Sequence, residues 1–167
     1  AASDVYKRQV YGSAYSDTFI DGDGDDTYYG MGGDDVFEQS TGGDTFNGGE
    51  GTDTVISNYS RDLPTWWNDD HYAVINLQEG FGNTLGRPPS EFDDLHISIE
   101  NYYQTGTNGA PYIVIGSDAN NILSTNLGDD IIDGGAGNDR LYGNEGDDIL
   151  KSGSGDDKLY GGSGDDI

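Results

Sequence analysis

The sequence predicts an all-β fold in which short strands and turns are wound into a solenoid. A nine-residue unit recurs in two unbroken frames, at residues 12–56 and 116–167. The first six positions of each unit are rich in glycine and aspartate, which favours a turn, and position 8 is always aliphatic or aromatic where it is present. With 12 tyrosines and 5 phenylalanines the chain is too aromatic for a disordered tail, despite its 28 glycines.

The charge of the chain restricts its partners. Thirty-two acidic residues oppose 7 lysines and arginines, for a formal net charge of -25. Nucleic acid and anionic membrane surfaces would be repelled, so cations are the favoured partners. The absence of cysteine excludes disulfides and thiolate metal sites. The sequence shows neither an apolar run long enough to span a bilayer nor a signal peptide.

Residues 1–11 are predicted to be a non-native or disordered flank. The stretch "AASDVYKRQ" lacks the pattern of the repeats and resembles translated adapter sequence. The chain also stops at Ile167, partway through a repeat, so we expect a fragment of a longer protein.

The repeat blocks have a regular internal chemistry. Position 6 is aspartate in ten of the eleven units and Asn121 in the other. Positions 7 to 9 are expected to form a strand with position 8 facing inward, and two units complete one coil, so residues 18 apart stack. Carboxylates and backbone carbonyls are hard donors that suit Ca²⁺. The position 6 aspartates are Asp17, Asp26, Asp35, Asp44, Asp53, Asp130, Asp139, Asp148, Asp157 and Asp166.

The unit resembles the G-G-x-G-x-D-x-U-x nonapeptide of the RTX (hemolysin-type) family, and units such as "GGAGNDRLY" match it closely. The resemblance implies a right-handed parallel β-roll, similar to that of serralysin-like proteins, with Ca²⁺ held between stacked loops and shared by two position 6 carboxylates. About seven sites follow from that rule. The glycines assigned to these loops are Gly134, Gly135, Gly137, Gly143, Gly146, Gly153 and Gly155.

These sites are not expected to bind calcium equally well, because some of their loops depart from the repeat. Tyr15 replaces a glycine at position 4, Gln39 and Ser40 replace the first two glycines of their unit, and Asn121 is neutral. The best intervals are those between Asp139 and Asp157, Asp130 and Asp148, and Asp148 and Asp166.

The stretch "DGDGDDTYYGMG" begins like an EF-hand loop, but that interpretation fails. Asp26 stands where the loop needs glycine, and Gly32 stands where it needs its closing glutamate.

Residues 57–115 interrupt the frame and are predicted to be an insertion of wider, irregular rungs. Strands are expected within "YAVINL" (72–77), "DLHISIENYY" (94–103) and "PYIVIGS" (111–117). Related RTX proteins have a similar insertion, which here is represented by "VINLQEG" and "DDLHISIEN".

Three features suggest something besides calcium, each with a simpler alternative that we favour. Two groups, Asp69–His71 and Asp93, Asp94 and His96, suggest a metal or hydrolytic site, but surface loops of an acidic protein explain them better. Trp66 and Trp67 suggest a sugar platform, and packing explains them better. Arg140 and Lys158, expected to stack near Lys151, suggest an acidic polysaccharide partner, and relief of acidic repulsion explains them better.

The leading functional hypothesis is a calcium-binding module, without catalytic activity, that folds when it binds calcium outside the cell. The resemblance implies export from a Gram-negative bacterium by the type I secretion apparatus, through a signal outside this fragment, and an extracellular location beside an effector domain. The parent protein would be an enzyme or toxin only through a domain absent here. The alternative is a calcium-dependent adhesin or carbohydrate-binding module that contacts a polysaccharide or a host surface.

Overall fold

The computed structural model describes residues 7–22, 24–39, 44–57, 73–78, 81–83, 93–107 and 109–167. Within these ranges the chain forms sixteen β-strands and no helix, as the sequence predicts. The strands are β1 Gln9–Tyr11, β2 Thr18–Ile20, β3 Thr27–Gly32, β4 Val36–Gln39, β5 Thr45–Glu50, β6 Thr54–Ser57, β7 Ala73–Asn76, β8 Phe81–Asn83, β9 Asp93–Ile97, β10 Asn101–Gln104, β11 Tyr112–Ile115, β12 Ile122–Ser124, β13 Ile131–Asp133, β14 Arg140–Glu145, β15 Ile149–Lys151 and β16 Lys158–Ser163.

The strands form two sheets that the chain visits alternately within each repeat block. The nine-stranded sheet has the order β1-β3-β5-β9-β8-β7-β11-β13-β15, and the seven-stranded sheet has the order β16-β14-β12-β10-β6-β4-β2. Neighbouring strands within the blocks are parallel. This is a β-solenoid of about six turns, consistent with the predicted parallel β-roll.

The register confirms that residues 18 apart stack. Thr27 pairs with Thr45 in the first block, and Arg140 pairs with Lys158 in the second. Because two nine-residue units make one turn, each unit contributes one short strand to one sheet and the next unit contributes to the other.

The core is a thin column of position 8 side chains between the sheets. Phe37, Phe46, Val55, Leu123 and Leu141 are all fully buried. Each such side chain contributes roughly 1.5–3 kcal/mol to stability when buried. In the first block the column is aromatic: the rings of Phe19 and Phe37 stack with centroids 4.9 Å apart, and those of Tyr28 and Phe46 lie 5.6 Å apart.

The insertion changes the nine-stranded sheet. Strands β7, β9, β10 and β11 lie within or overlap the stretches predicted as strands, and the break between β9 and β10 includes Ser98 at φ 52°. The three-residue strand β8 was not predicted, and it pairs antiparallel with both β7 and β9. As a result, β9, β8 and β7 stand between β5 and β11, while the other sheet has β10 alone between β6 and β12.

The N-terminal segment predicted as a flank includes β1, which pairs in parallel with β3. The backbone N–H of Arg8 donates to Asp26 Oδ1 at 2.8 Å, and the Lys7 ammonium lies 3.3 Å from the Asp25 carboxylate.

Candidate metal centre

The position 6 residues form two rows, one along each edge of the solenoid. Each one except Asp166 directly precedes a strand, so its place along the edge follows from the 18-residue register. The row that precedes the seven-stranded sheet contains Asp17, Asp35, Asp53, Asn121, Asp139 and Asp157. The row that precedes the nine-stranded sheet contains Asp26, Asp44, Asp130, Asp148 and, at the end of the chain, Asp166.

Within each row, a backbone-to-carboxylate hydrogen bond joins successive rungs. The N–H of Asp35 donates to Asp53 Oδ1 at 2.8 Å, and the N–H of Asp130 donates to Asp148 Oδ1 at 2.9 Å. The same bond joins the other stacked pairs of both blocks. These bonds hold every accepting carboxylate in one orientation, with Oδ1 toward the preceding rung.

The second oxygen of these carboxylates defines the candidate site. Asp35, Asp53 and Asp148 have no measurable exposure, and Asp26 and Asp139 are 1% exposed. The Oδ2 atoms of all five are buried and have no hydrogen-bond partner among the described residues. A buried, unpartnered carboxylate oxygen is costly unless a cation compensates it.

The pKa values of these groups express the same cost. Burial raises the pKa of Asp53 to about 6 and that of Asp130 to about 7. Burial likewise raises the pKa of Asp35, Asp139 and Asp148. Neighbouring carboxylates add to the rise, and the backbone N–H donors oppose it. Two unit charges 4 Å apart repel by about 4 kcal/mol at an effective dielectric constant of about 20.

Glycine at position 1 makes room for the carboxylate. A Cβ on Gly134 would lie 2.5 Å from Asp139 Oδ2, and a Cβ on Gly143 would collide with Asp148 Oδ2. Glycines at positions 2 and 4 serve a different purpose, because they adopt positive φ in the turn. They include Gly135 at 88°, Gly137 at 110°, Gly146 at 133°, Gly153 at 85° and Gly155 at 142°.

Met31 occupies one of these left-handed positions without being glycine. Its φ is 78° and its side chain is 56% exposed, so it carries backbone strain with little packing in return. We expect Met31→Gly to raise the free energy of unfolding by about 1 kcal/mol. Urea denaturation with calcium present would measure the change. Met31→Ala is the control, because alanine keeps the Cβ and should give no comparable gain.

The predicted ligands are less buried at three of the four row ends, the exception being Asp26. Asp17 and Asp157 are half-buried, and Asp166 is exposed. Asn121 is 1% exposed, and its N–H donates to Asp139 Oδ1 at 2.8 Å. The neutral residue therefore occupies a regular place in its row.

Glu100 also belongs to this row, although sequence reasoning did not assign it a role. The pairing of Asn101 with Thr54 and of Tyr102 with Val55 places Glu100 at the position 6 register. Its Oε2 accepts the N–H of Asp53 at 2.7 Å, and its carbonyl accepts from Asn121 Nδ2 at 2.6 Å. The signal in the sequence was a carboxylate two residues before an apolar residue, which is the spacing of positions 6 and 8 in most of the repeats.

Removing the Glu100 carboxylate should weaken the junction between the two blocks. We expect Glu100→Ala to lower the free energy of unfolding by about 1–3 kcal/mol, because the buried N–H of Asp53 loses a charged acceptor. Glu100→Gln keeps an acceptor oxygen and should lose less. Urea denaturation of both variants beside Glu145→Ala, a change at an exposed glutamate, would measure this. Equal losses in the two alanine variants would contradict the assigned role.

The remaining candidates fall in several places. Trp66, Trp67 and Asp69–His71 lie outside the described residues, and Asp93, Asp94 and His96 lie on β9. Arg140 and Lys158 are register neighbours in the seven-stranded sheet and are exposed, as predicted. Lys151 lies on β15 of the other sheet, 3.6 Å from the Asp133 carboxylate, so the prediction that it neighbours them is wrong.

The donor set fits Ca²⁺. Rows of buried, hard carboxylate oxygens with unpartnered atoms suit an ion that takes six to eight oxygen ligands.

Among the residues that the structure describes, no helix is both long and apolar enough to cross a membrane.

Comparison with known proteins identifies the repeat. The sequence matches the family described as HemolysinCabind, the RTX calcium-binding nonapeptide repeat, in four copies at residues 9–37, 40–62, 115–150 and 142–167. These matches cover more than half of the chain. No curated protein gives a significant match.

Proposed function

Because the chain belongs to the RTX calcium-binding nonapeptide repeat family, we propose that it is a calcium-dependent folding module whose ions lie between stacked loops of the two carboxylate rows. The main support for this proposal is the set of buried Oδ2 atoms without hydrogen-bond partners, which is repeated from rung to rung. The ligands are the ten position 6 aspartates, with the turn glycines exposing backbone carbonyls beside them, and about seven sites are expected.

The family membership and the calcium requirement together support a proposed location and role for the module. Extracellular calcium modules bind at roughly 10⁻⁴ to 10⁻³ M, far above cytosolic calcium. Such a chain stays unfolded in the cytosol, crosses a type I secretion apparatus in that state and folds outside. There it supports a neighbouring effector domain of a secreted Gram-negative protein. The repeats themselves have a structural, calcium-binding role, and the division into blocks 12–56 and 116–167 with an insertion at 57–115 stays a prediction.

Asp148→Asn tests the assignment of the ligands. Asp148 is fully buried and belongs to two intervals of its row, with Asp130 and with Asp166. We expect the variant to bind one or two fewer calcium ions per chain, measured by equilibrium dialysis. Asp147→Asn is the matched control, because it removes the same charge from an exposed neighbour. Equal stoichiometry in the two variants would remove Asp148 from the ligand set.

One surface of the solenoid supports the alternative function, carbohydrate binding. On the outer face of the seven-stranded sheet, the rings of Tyr142 and Tyr160 stack with centroids 4.8 Å apart. Arg140 and Lys158 lie two residues before them on the same two strands. Paired aromatic rings beside two cations are suited to an acidic polysaccharide. A glycan array with calcium present tests this, and binding that survives Arg140→Glu would exclude this surface.

A further inference from the structure

Asp21 stands where the repeat normally has its first glycine. At position 1 of the units 30–38 and 48–56 a side chain has no room, because a Cβ on Gly30 or Gly48 would collide with the Oδ2 of its own unit's position 6 aspartate. In the unit 21–29 the position carries a carboxylate, and it is only 8% exposed. The turn of this unit therefore places two buried carboxylates, those of Asp21 and Asp26, on the inner side.

A third carboxylate completes the group. One carboxylate oxygen each from Asp21, Asp26 and Asp44 lies within 4.8 Å of the others, and all three residues are buried. Each carboxylate is held by a backbone N–H on its Oδ1: Gly22 donates to Asp21, Arg8 donates to Asp26, and Asp26 donates to Asp44, all at 2.8 Å. The Tyr28 hydroxyl donates to Asp21 Oδ1 at 2.7 Å. The orientations of all three are therefore set by the backbone.

An independent observation points to a ligand in this group. Asp26 is 1% exposed, and its Oδ2 has no hydrogen-bond partner among the described residues. Its Oδ1 is already occupied by the Arg8 N–H, so Oδ2 is the oxygen available to a cation. Three clustered carboxylates also repel one another more than the two of an ordinary interval.

We propose that Asp21, Asp26 and Asp44 form a three-carboxylate cation site, which binds calcium more tightly than the two-carboxylate intervals and fills first. This rests on the proposed function, and it adds a ligand position that the repeat does not supply. Each extra carboxylate raises the affinity of an oxygen site for calcium, and a site of higher negative charge also favours trivalent lanthanides. The interval between Asp26 and Asp44 was expected to be doubtful because of Gln39 and Ser40, and the proposal reverses that ranking.

Calorimetric calcium titration of the full chain and two Asp21 variants tests the proposal. Asp21→Gly restores the ordinary repeat, and Asp21→Asn keeps the size and the acceptor oxygen but removes the charge. In both Asp21 variants we expect the calcium affinity of the tightest site to fall by about tenfold or more, so that a separate tight phase is no longer seen. The weaker binding phases should persist. Asp34→Asn, at an exposed position of the next unit, is the charge-matched control and should behave as the parent chain.

Terbium luminescence excited through tyrosine locates the site. Tyr28 donates a hydrogen bond to Asp21, so Tyr28→Phe should reduce the terbium emission of the first-filled site. The calcium affinity of that site should fall by a smaller factor than the emission does. Unchanged affinities and stoichiometry in both Asp21 variants would overturn the three-carboxylate site and leave the calcium module intact. A parent chain that binds no calcium would overturn both.

Discussion

In a calcium chelator at neutral pH, the chain is expected to lose its β-sheet circular dichroism and to recover it when excess calcium is returned. Folding orders many glycines, which is entropically costly, and brings rows of buried carboxylates together within a chain of net charge -25. The column of position 8 side chains is too thin to offset both costs. Cations in the rows remove the electrostatic cost, so binding and folding are one process.

The free energy of calcium binding is large enough to drive a complete transition from the unfolded to the folded chain. With a Kd of roughly 10⁻⁴ to 10⁻³ M, 10 mM calcium stabilises the fold by about 1.4–2.7 kcal/mol for each site. Several such sites together match the total stability of an ordinary domain, about 5–15 kcal/mol. Magnesium at equal ionic strength is the control, because it prefers a tight octahedral shell and retains its waters. A fully folded spectrum in the chelator would contradict calcium-coupled folding.

In calcium-stripped buffer, acidification from about pH 8 to about pH 5 is expected to increase the folded fraction. Burial raises the pKa of Asp53 to about 6 and of Asp130 to about 7, whereas an unfolded aspartate titrates near 3.9. The folded chain therefore binds protons more tightly than the unfolded chain. The stability linked to these groups is fully present below about pH 4 and is lost as the pH rises through about 6 to 7.

Calcium should abolish this dependence. With the ion bound, the carboxylates stay ionised, so the folded and unfolded chains carry the same protons between about pH 8 and pH 5. Circular dichroism and urea midpoints at several pH values, with and without calcium, would measure both behaviours. A calcium-free chain whose stability falls on acidification would contradict the assigned burial of these carboxylates.

The repeat blocks were predictable because two periods coincide in them. The nine-residue unit locates the turns, and the alternation of strand residues selects position 8 as the inward side chain. The resemblance to the RTX family adds that two units complete one coil, which gives the 18-residue register. Leu141 and Asp139 were therefore placed correctly, one in the core and one on an edge. Leu159, also at position 8, is 42% exposed because β16 is an end strand of its sheet.

The insertion was less predictable for the same reason. Glu100 lies 47 residues after Asp53 and 21 residues before Asn121, so no fixed spacing identifies it as a member of their row. Strand β8 contains glycine and spans only three residues, which leaves no alternation to detect. The role of Asp21 depends on the contact between position 1 and the carboxylate of its own unit, and that contact is visible only once the turn is built.

Glu100 also has a mechanical consequence. It links the rungs on one edge into a single chain of bonds that runs from Asp17 to Asp157, across both blocks. On the other edge, β9, β8, β7 and β11 lie between the strands that follow Asp44 and Asp130, and this sheet has two strands more than the seven-stranded one, a length of about 10 Å. Under tension, the edge with the continuous row of hydrogen bonds would bear most of the force. The edge whose row is interrupted between Asp44 and Asp130 would extend first. The module would then bend in one preferred direction, toward or away from the side where β9, β8 and β7 lie.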